Sequence, residues 1–249
     1  MNIARKKLKH PMFDIYIVRM ILRIVIFVGI LFLYFFHREW LTDIVDRPFF
    51  GHFSPLHILW VILMGGMILH LLPKSHMTMA GRKSREDTYV EHPTYDKLKL
   101  LEYVQKMNIR AWTVMLVWIC FNAIFGVLYL TDIIGYEELI LLSMFYYTSD
   151  LICMMVFCPF QKFFMKNRCC VNCRIFDWGH FMMYTPMIFI RSFFSWSLLF
   201  TALVVLIRWE LTYARHPERF WRGSNATIRC ENCKDKTCLL KKPLKNAED

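Results

Sequence analysis

Apolar residues in this chain are gathered into long runs, and the charges lie between them. A helix needs about 20 mostly apolar residues to cross a bilayer core of roughly 30 Å. The first run, Met12 to Phe36, meets that length and carries Asp14, Arg19 and Arg23 in its first half. It is longer than a signal-peptide core and ends in Phe35-Phe36-His37-Arg38 instead of a small-residue cleavage site, so it reads as an uncleaved span. Ser54-Pro55 opens a second span, because a Ser N-cap followed by Pro at the first helical position satisfies a helix start. That span runs to Leu72 and stops at Pro73.

A polar segment, 74–110, follows. Within it, Tyr95 to Met107 sets Leu98, Leu101, Val104 and Met107 opposite Lys97, Lys99 and Lys106. This predicts an amphipathic helix in the membrane interface, or a soluble helix packed on the loop. The third span is Ala111 to Leu130, joined by the tight loop Thr131 to Tyr136 to the fourth, Glu137 to Phe157. A cysteine-bearing stretch, 158–180, leads to the last apolar region, Phe181 to Trp209, interrupted by Pro186 and by Arg191-Ser192. As a single helix this region would be about 43 Å long, more than a bilayer core requires. As two passes, from about Ile175 and from Phe193, each leg sits at the lower length limit of roughly 17 residues.

Charge decides between the two. Lys and Arg collect in cytoplasmic loops of membrane proteins. With the N-terminus inside and a hairpin at the end, the inner segments are 1–11, 74–110, 158–180 and 208–249, and they hold 26 of the 31 Lys and Arg. The outer side keeps Arg38, Arg47 and Arg191, while Arg19 and Arg23 lie in the first span. A single crossing would strand the basic tail outside. The expected fold is therefore an all-α transmembrane bundle of five or six spans, the last two a short or re-entrant hairpin, with both termini cytoplasmic. The net charge of +11 fits this topology, and nothing resembles a nucleic-acid-binding helix or an aromatic RNA platform, so no nucleic-acid partner is expected. A composition of 56 % hydrophobic residues points the same way, to the lipid bilayer.

The cysteines carry the candidate chemistry. Cys169-Cys170-Val171-Asn172-Cys173 and Cys230-Glu231-Asn232-Cys233 contain two C-x2-C pairs, each reading C-x-Asn-C. Such a pair turns two thiolates toward one ion, and two pairs complete a tetrahedral S4 site suited to zinc or to an iron–sulfur cluster. Cys170, Cys173, Cys230 and Cys233 are the expected ligands in a small cytoplasmic module formed with the tail, 210–249, with Cys169, Cys238 and Cys158 as alternates. The surplus thiols, and Pro159 after Cys158, favour an iron–sulfur cluster; the absence of a complete ferredoxin run keeps zinc open. Disulfides are disfavoured because the charge pattern puts these thiols in reducing cytoplasm. Cys120 and Cys153 fall within spans and read as packing residues.

Two further sets are candidates. Arg19 and Arg23 share a helix face about 10 and 16 Å above the inner end of their span, and Asp150 lies about 12 Å above the inner end of the fourth. Matching depths predict either a structural ion pair or a polar pocket for an anionic headgroup, a quinone or a proton path. His57, His70 and His180 are haem-ligand candidates, in the pairs His37/His57 and His70/His180. The functional expectation is a membrane redox subunit, part of an oxidoreductase, passing electrons to a quinone or a partner protein. The alternative is a zinc-stabilised scaffold, assembly factor or solute carrier. No hydrolase, kinase or nucleotide-binding motif is present.

Overall fold

The computed structural model describes residues 11–41, 55–72, 86–167, 173–229 and 231–232. These are mostly helical, and the only β pairing among them is an isolated antiparallel bridge, Glu91 to Asn225. Helix α1 spans Pro11–Phe36, α2 Pro55–Leu71, α3 Lys97–Leu130, α4 Tyr136–Met155, α5 Gly179–Tyr184 and α6 Phe193–Arg215. Four of them, α1, α3, α4 and α6, are long and apolar enough to cross a membrane; α2 is apolar but has 17 residues.

Pairing runs antiparallel around α4. At one end of the bundle Tyr34 donates to Glu138 at 2.7 Å, and Arg38 binds Glu137 and Glu138. At the other end Arg23 of α1 reaches Asp150 of α4. Helix α2 lies on α6, with Trp60 Nε1 donating to Ser197 Oγ at 2.9 Å and Arg208 bonded to the Leu71 carbonyl. The outward faces of α1 and α3 present Val18, Leu22, Val25, Phe32, Leu116, Ile119 and Ile124, the surface a helix offers to lipid.

The segment 97–110 is not a separate amphipathic helix. It is the first part of α3, which runs unbroken for 34 residues, about 51 Å. Asp96 caps its start by accepting the Leu98 N–H at 2.9 Å, and no Pro or Gly intervenes before Gly126. The sequence shows a charge boundary at Arg110, but a helix ends where its backbone bonds end. Arg110 is accommodated by donating to the Met165 carbonyl at 3.1 Å. The rod therefore exceeds a bilayer core by about 20 Å, and this overhang carries Leu100 and Met107 inward onto the protein.

The last apolar region is a hairpin. Its second leg, α6, begins at Phe193, and Arg191 is exposed at the turn. The first leg combines 3-10 turns at 176–178 and 185–189 with the six residues of α5. Because a 3-10 turn rises about 2.0 Å per residue, these 14 residues extend about 25 Å. Met182, Met183, Tyr184, Pro186, Met187 and Ile190 are buried, so this leg is walled by protein and does not need the length of a lipid-facing helix. The fourth span ends at Met155, two residues short of the predicted Phe157, and a π-turn over Phe160–Met165 follows.

Candidate functional site

Two polar clusters gather at the end of the bundle where α1, α3 and α5 begin and α2, α4 and α6 finish. In the first cluster Arg23 Nη1 donates to Asp150 Oδ2 at 3.0 Å and to the Tyr147 carbonyl at 2.7 Å, with its guanidinium 4.1 Å over the Tyr147 ring. Arg19, a turn earlier, lies 5.4 Å from the Tyr16 ring centroid. A Cβ added to Gly179 would fall 2.7 Å from Asp150 Oδ1, so the carboxylate sits directly against the start of α5. The next residue, His180, meets His70 of α2 edge to face at 5.2 Å, and His70 Nε2 is 3.0 Å from Asp177 Oδ2. Arg23, Asp150, His180, His70 and Asp177 thus form a run of ionisable groups contributed by α1, α2, α4 and the first leg of the hairpin. His70 and Asp177 are almost entirely buried.

His70 and His180 are brought together, but in direct ring contact and with His70 engaged by Asp177. That arrangement does not fit a macrocycle between them. His57 packs against Phe194 at 4.8 Å, and His37 against Phe32 and Trp40.

The second cluster is centred on Arg174, a residue the sequence reading passed over. It is buried, binds Glu210 through both terminal nitrogens (Nη1–Oε1 2.6 Å), donates from Nε to Asn108 Oδ1 at 3.3 Å and stacks 3.8 Å from the Tyr213 ring. Trp178 Nε1 donates to Glu210 at 2.6 Å, and Trp209 Nε1 to the Arg174 carbonyl at 2.8 Å. A bidentate, charge-assisted pair under aromatic cover is among the stronger polar contacts a protein makes. It locks the start of the hairpin to its finish. One signal pointed to it: Glu210 is the only acidic residue between Asp177 and Glu218.

Of the predicted metal ligands, Cys173 is buried in the main core, immediately before Arg174. Cys158 packs with Tyr16, Leu151, Met154 and Met155 in a smaller core, and its Sγ accepts the Gln161 N–H at 3.4 Å. Cys169, Cys170, Cys230, Cys233 and Cys238 lie outside the described residues. Among the described residues no three His, Cys, Asp or Glu side chains converge as metal ligands. The tail leading to Cys230 returns to the same end: Trp221 stacks on Tyr103 of α3 with centroids 5.7 Å apart, and Asn225 bridges Glu91. Tyr103 precedes Asn108, the partner of Arg174, by five residues, about 7.5 Å along the helix.

The class these observations define is an all-helical bundle with four helices of membrane-spanning length and apolarity and one densely polar end. No family model, curated protein or solved structure matches the chain.

Proposed function

We propose that this is a multi-pass integral membrane protein whose polar end is cytoplasmic and carries one thiolate-bound metal centre, made by Cys170, Cys173, Cys230 and Cys233. The observation that supports this most is that the segments leading into the two cysteine clusters both dock on the first part of α3. Arg174, next to Cys173, binds Asn108, and Trp221, nine residues before Cys230, stacks on Tyr103. Such a centre staples the tail to the bundle, because assembling the site and ordering the segments are one event. We take zinc as the metal of this centre. Cys158, a surplus thiol that an iron–sulfur centre would recruit, is engaged by Gln161 in a separate core from Cys173. The protein then acts as a metal-stapled membrane scaffold or carrier.

The second reading is a redox subunit with an iron–sulfur cluster feeding a quinone or a partner protein. Its support is the two remaining surplus thiols, Cys169 and Cys238, which flank the proposed ligands. Anaerobic purification with metal analysis and visible spectra separates the two. Colourless protein with one zinc per chain, lost in both Cys173→Ser and Cys233→Ser, is expected. Brown, iron-containing protein replaces the zinc reading with the redox one. Metal-free wild type, or loss in only one of the two variants, overturns the shared centre.

A further inference from the structure

The first part of α3 carries an apolar stripe beyond the reach of lipid. Leu98 and Leu101 are 77 % and 63 % exposed, and Ile109 and Trp112 are almost as open. Measured from Ala111, where the apolar stretch of α3 begins, Leu101 and Leu98 stand about 15 and 20 Å along the helix axis. A headgroup layer is about 5–8 Å deep, so both leucines project past it into water. An open groove of about 730 Å³ follows the same face from Leu101 to Leu116. Exposed leucines that prolong a lipid-facing stripe into water mark a surface that another protein surface covers.

Spacing identifies that second surface. Leu98, Leu101, Gln105, Asn108 and Trp112 follow one another at intervals of three, four, three and four residues, the a and d positions of a heptad written a to g. In this register Lys97 falls at g and Glu102 at e, five residues later. A parallel two-stranded coiled coil sets each g residue opposite the e residue five positions on in the other strand. Lys97 of one copy therefore meets Glu102 of a second, and a two-fold axis makes the pair twice. Both side chains are exposed in the single chain. Gln105, at a, faces its own counterpart across the axis, where one amide donates to the other and fixes the register. Val104 at g and Ile109 at e widen the contact with apolar surface. Asn108 is already held by Arg174, so the stripe is pinned to the bundle at its lower end.

We propose that the overhang of α3, residues 97–112, is the interface of a symmetric homodimer, a short parallel coiled coil about a two-fold axis along the membrane normal. Insertion in a membrane already gives every copy the same orientation, so two α3 helices meet in parallel without further ordering. Confinement to the bilayer also raises their effective concentration, which offsets the brevity of a contact of about two heptads. Inside the lipid no hydrophobic force draws helices together, so the drive to associate comes from the part of α3 that stands in water. The dimer rests on the membrane reading of the chain and not on the metal centre.

The test is a charge exchange, read as self-association of the full chain. Two copies with different C-terminal tags are co-expressed, and capture through one tag from a mild detergent extract is scored for the other. Wild type should co-capture, and native mass spectrometry should show two chains. Lys97→Glu sets carboxylate against carboxylate at both pairs, and Glu102→Lys sets ammonium against ammonium. Each variant should therefore co-capture itself about tenfold less than wild type does, because two exposed pairs are reversed at once. Lys97→Glu co-expressed with Glu102→Lys should recover the wild-type level, since every pair across the axis is again opposite in charge. Misfolding, or a role of either residue within its own chain, would not be repaired by mixing two variants. A monomeric wild type, its stripe covered by headgroups or by another segment of the same chain, overturns the dimer. So does self-association of either variant at the wild-type level, or a mixture of the two that stays apart.

Discussion

Arg23 illustrates how a charge is tolerated inside an apolar helix. It is satisfied from three sides, by the Asp150 carboxylate, the Tyr147 carbonyl and the Tyr147 ring. Removing one partner of a buried pair costs typically 3–5 kcal/mol. Here the Asp150 side chain is 36 % exposed and the carbonyl and the ring remain, so Asp150→Asn should destabilise by about 1 kcal/mol, measured as a loss of thermal stability in detergent. Gly179→Ala should act through the same pair. Its new Cβ, 2.7 Å from Asp150 Oδ1, pushes the carboxylate off Arg23. The double variant should then cost little more than the worse single one, because both break one contact. Additive losses would show that Gly179 does not act through Asp150. The Arg23–Asp150 depth match was legible in the sequence from helical rise alone. The role of Gly179 was not, since nothing local marks a glycine whose missing side chain is occupied by a residue 29 positions away.

At the scale of elements, α3 and the first leg of the hairpin carry the lessons. If 97–110 were an interfacial helix joined flexibly to a span, a proline near the joint would be tolerated. In a continuous helix it removes a backbone bond and clashes with the preceding turn, costing about 3 kcal/mol or more. Ile109→Pro, at an exposed position, should therefore melt the protein at markedly lower temperature, while Ile109→Ala should not. The first leg is held differently. Phe189 lies over Gly126, where an added Cβ would come within 2.2 Å of the ring. Gly126→Ala should cost about 1–3 kcal/mol by overpacking, read from thermal unfolding, and Phe189→Leu in the same chain should recover part of it. Full stability of Gly126→Ala would mean that the leg does not pack on α3.

For the whole molecule, the arrangement of ends has a direct consequence. Lys166, after the π-turn, and Arg191, at the hairpin turn, are both exposed and lie at opposite ends of the bundle. Lys166→Cys and Arg191→Cys, each in a chain whose native cysteines are replaced by serine, should be labelled by an impermeant thiol reagent from opposite sides of the membrane. The positive-inside count assigns Lys166 to the cytoplasmic side. Labelling of both from one side would refute the hairpin topology. The same arrangement gathers segments 86–110, 158–167 and 208–229 at the polar end. These are parts of the segments that are rich in lysine and arginine.

The helical character of the chain, four apolar helices of membrane-spanning length and the restart of the last helix at Phe193 were legible in the sequence. Each follows from length, hydropathy and charge, quantities that are local or summed along the chain. Tertiary structure alone decided the rest. It joined 97–110 to the third span, because the continuity of backbone hydrogen bonds is indifferent to a change in side-chain polarity. It made a 14-residue irregular leg sufficient to run through the bundle, because protein walls relax the length that lipid imposes. It chose Arg174 with Glu210 as the lock of the polar end, since a pair separated by 36 residues meets only when the helices have packed.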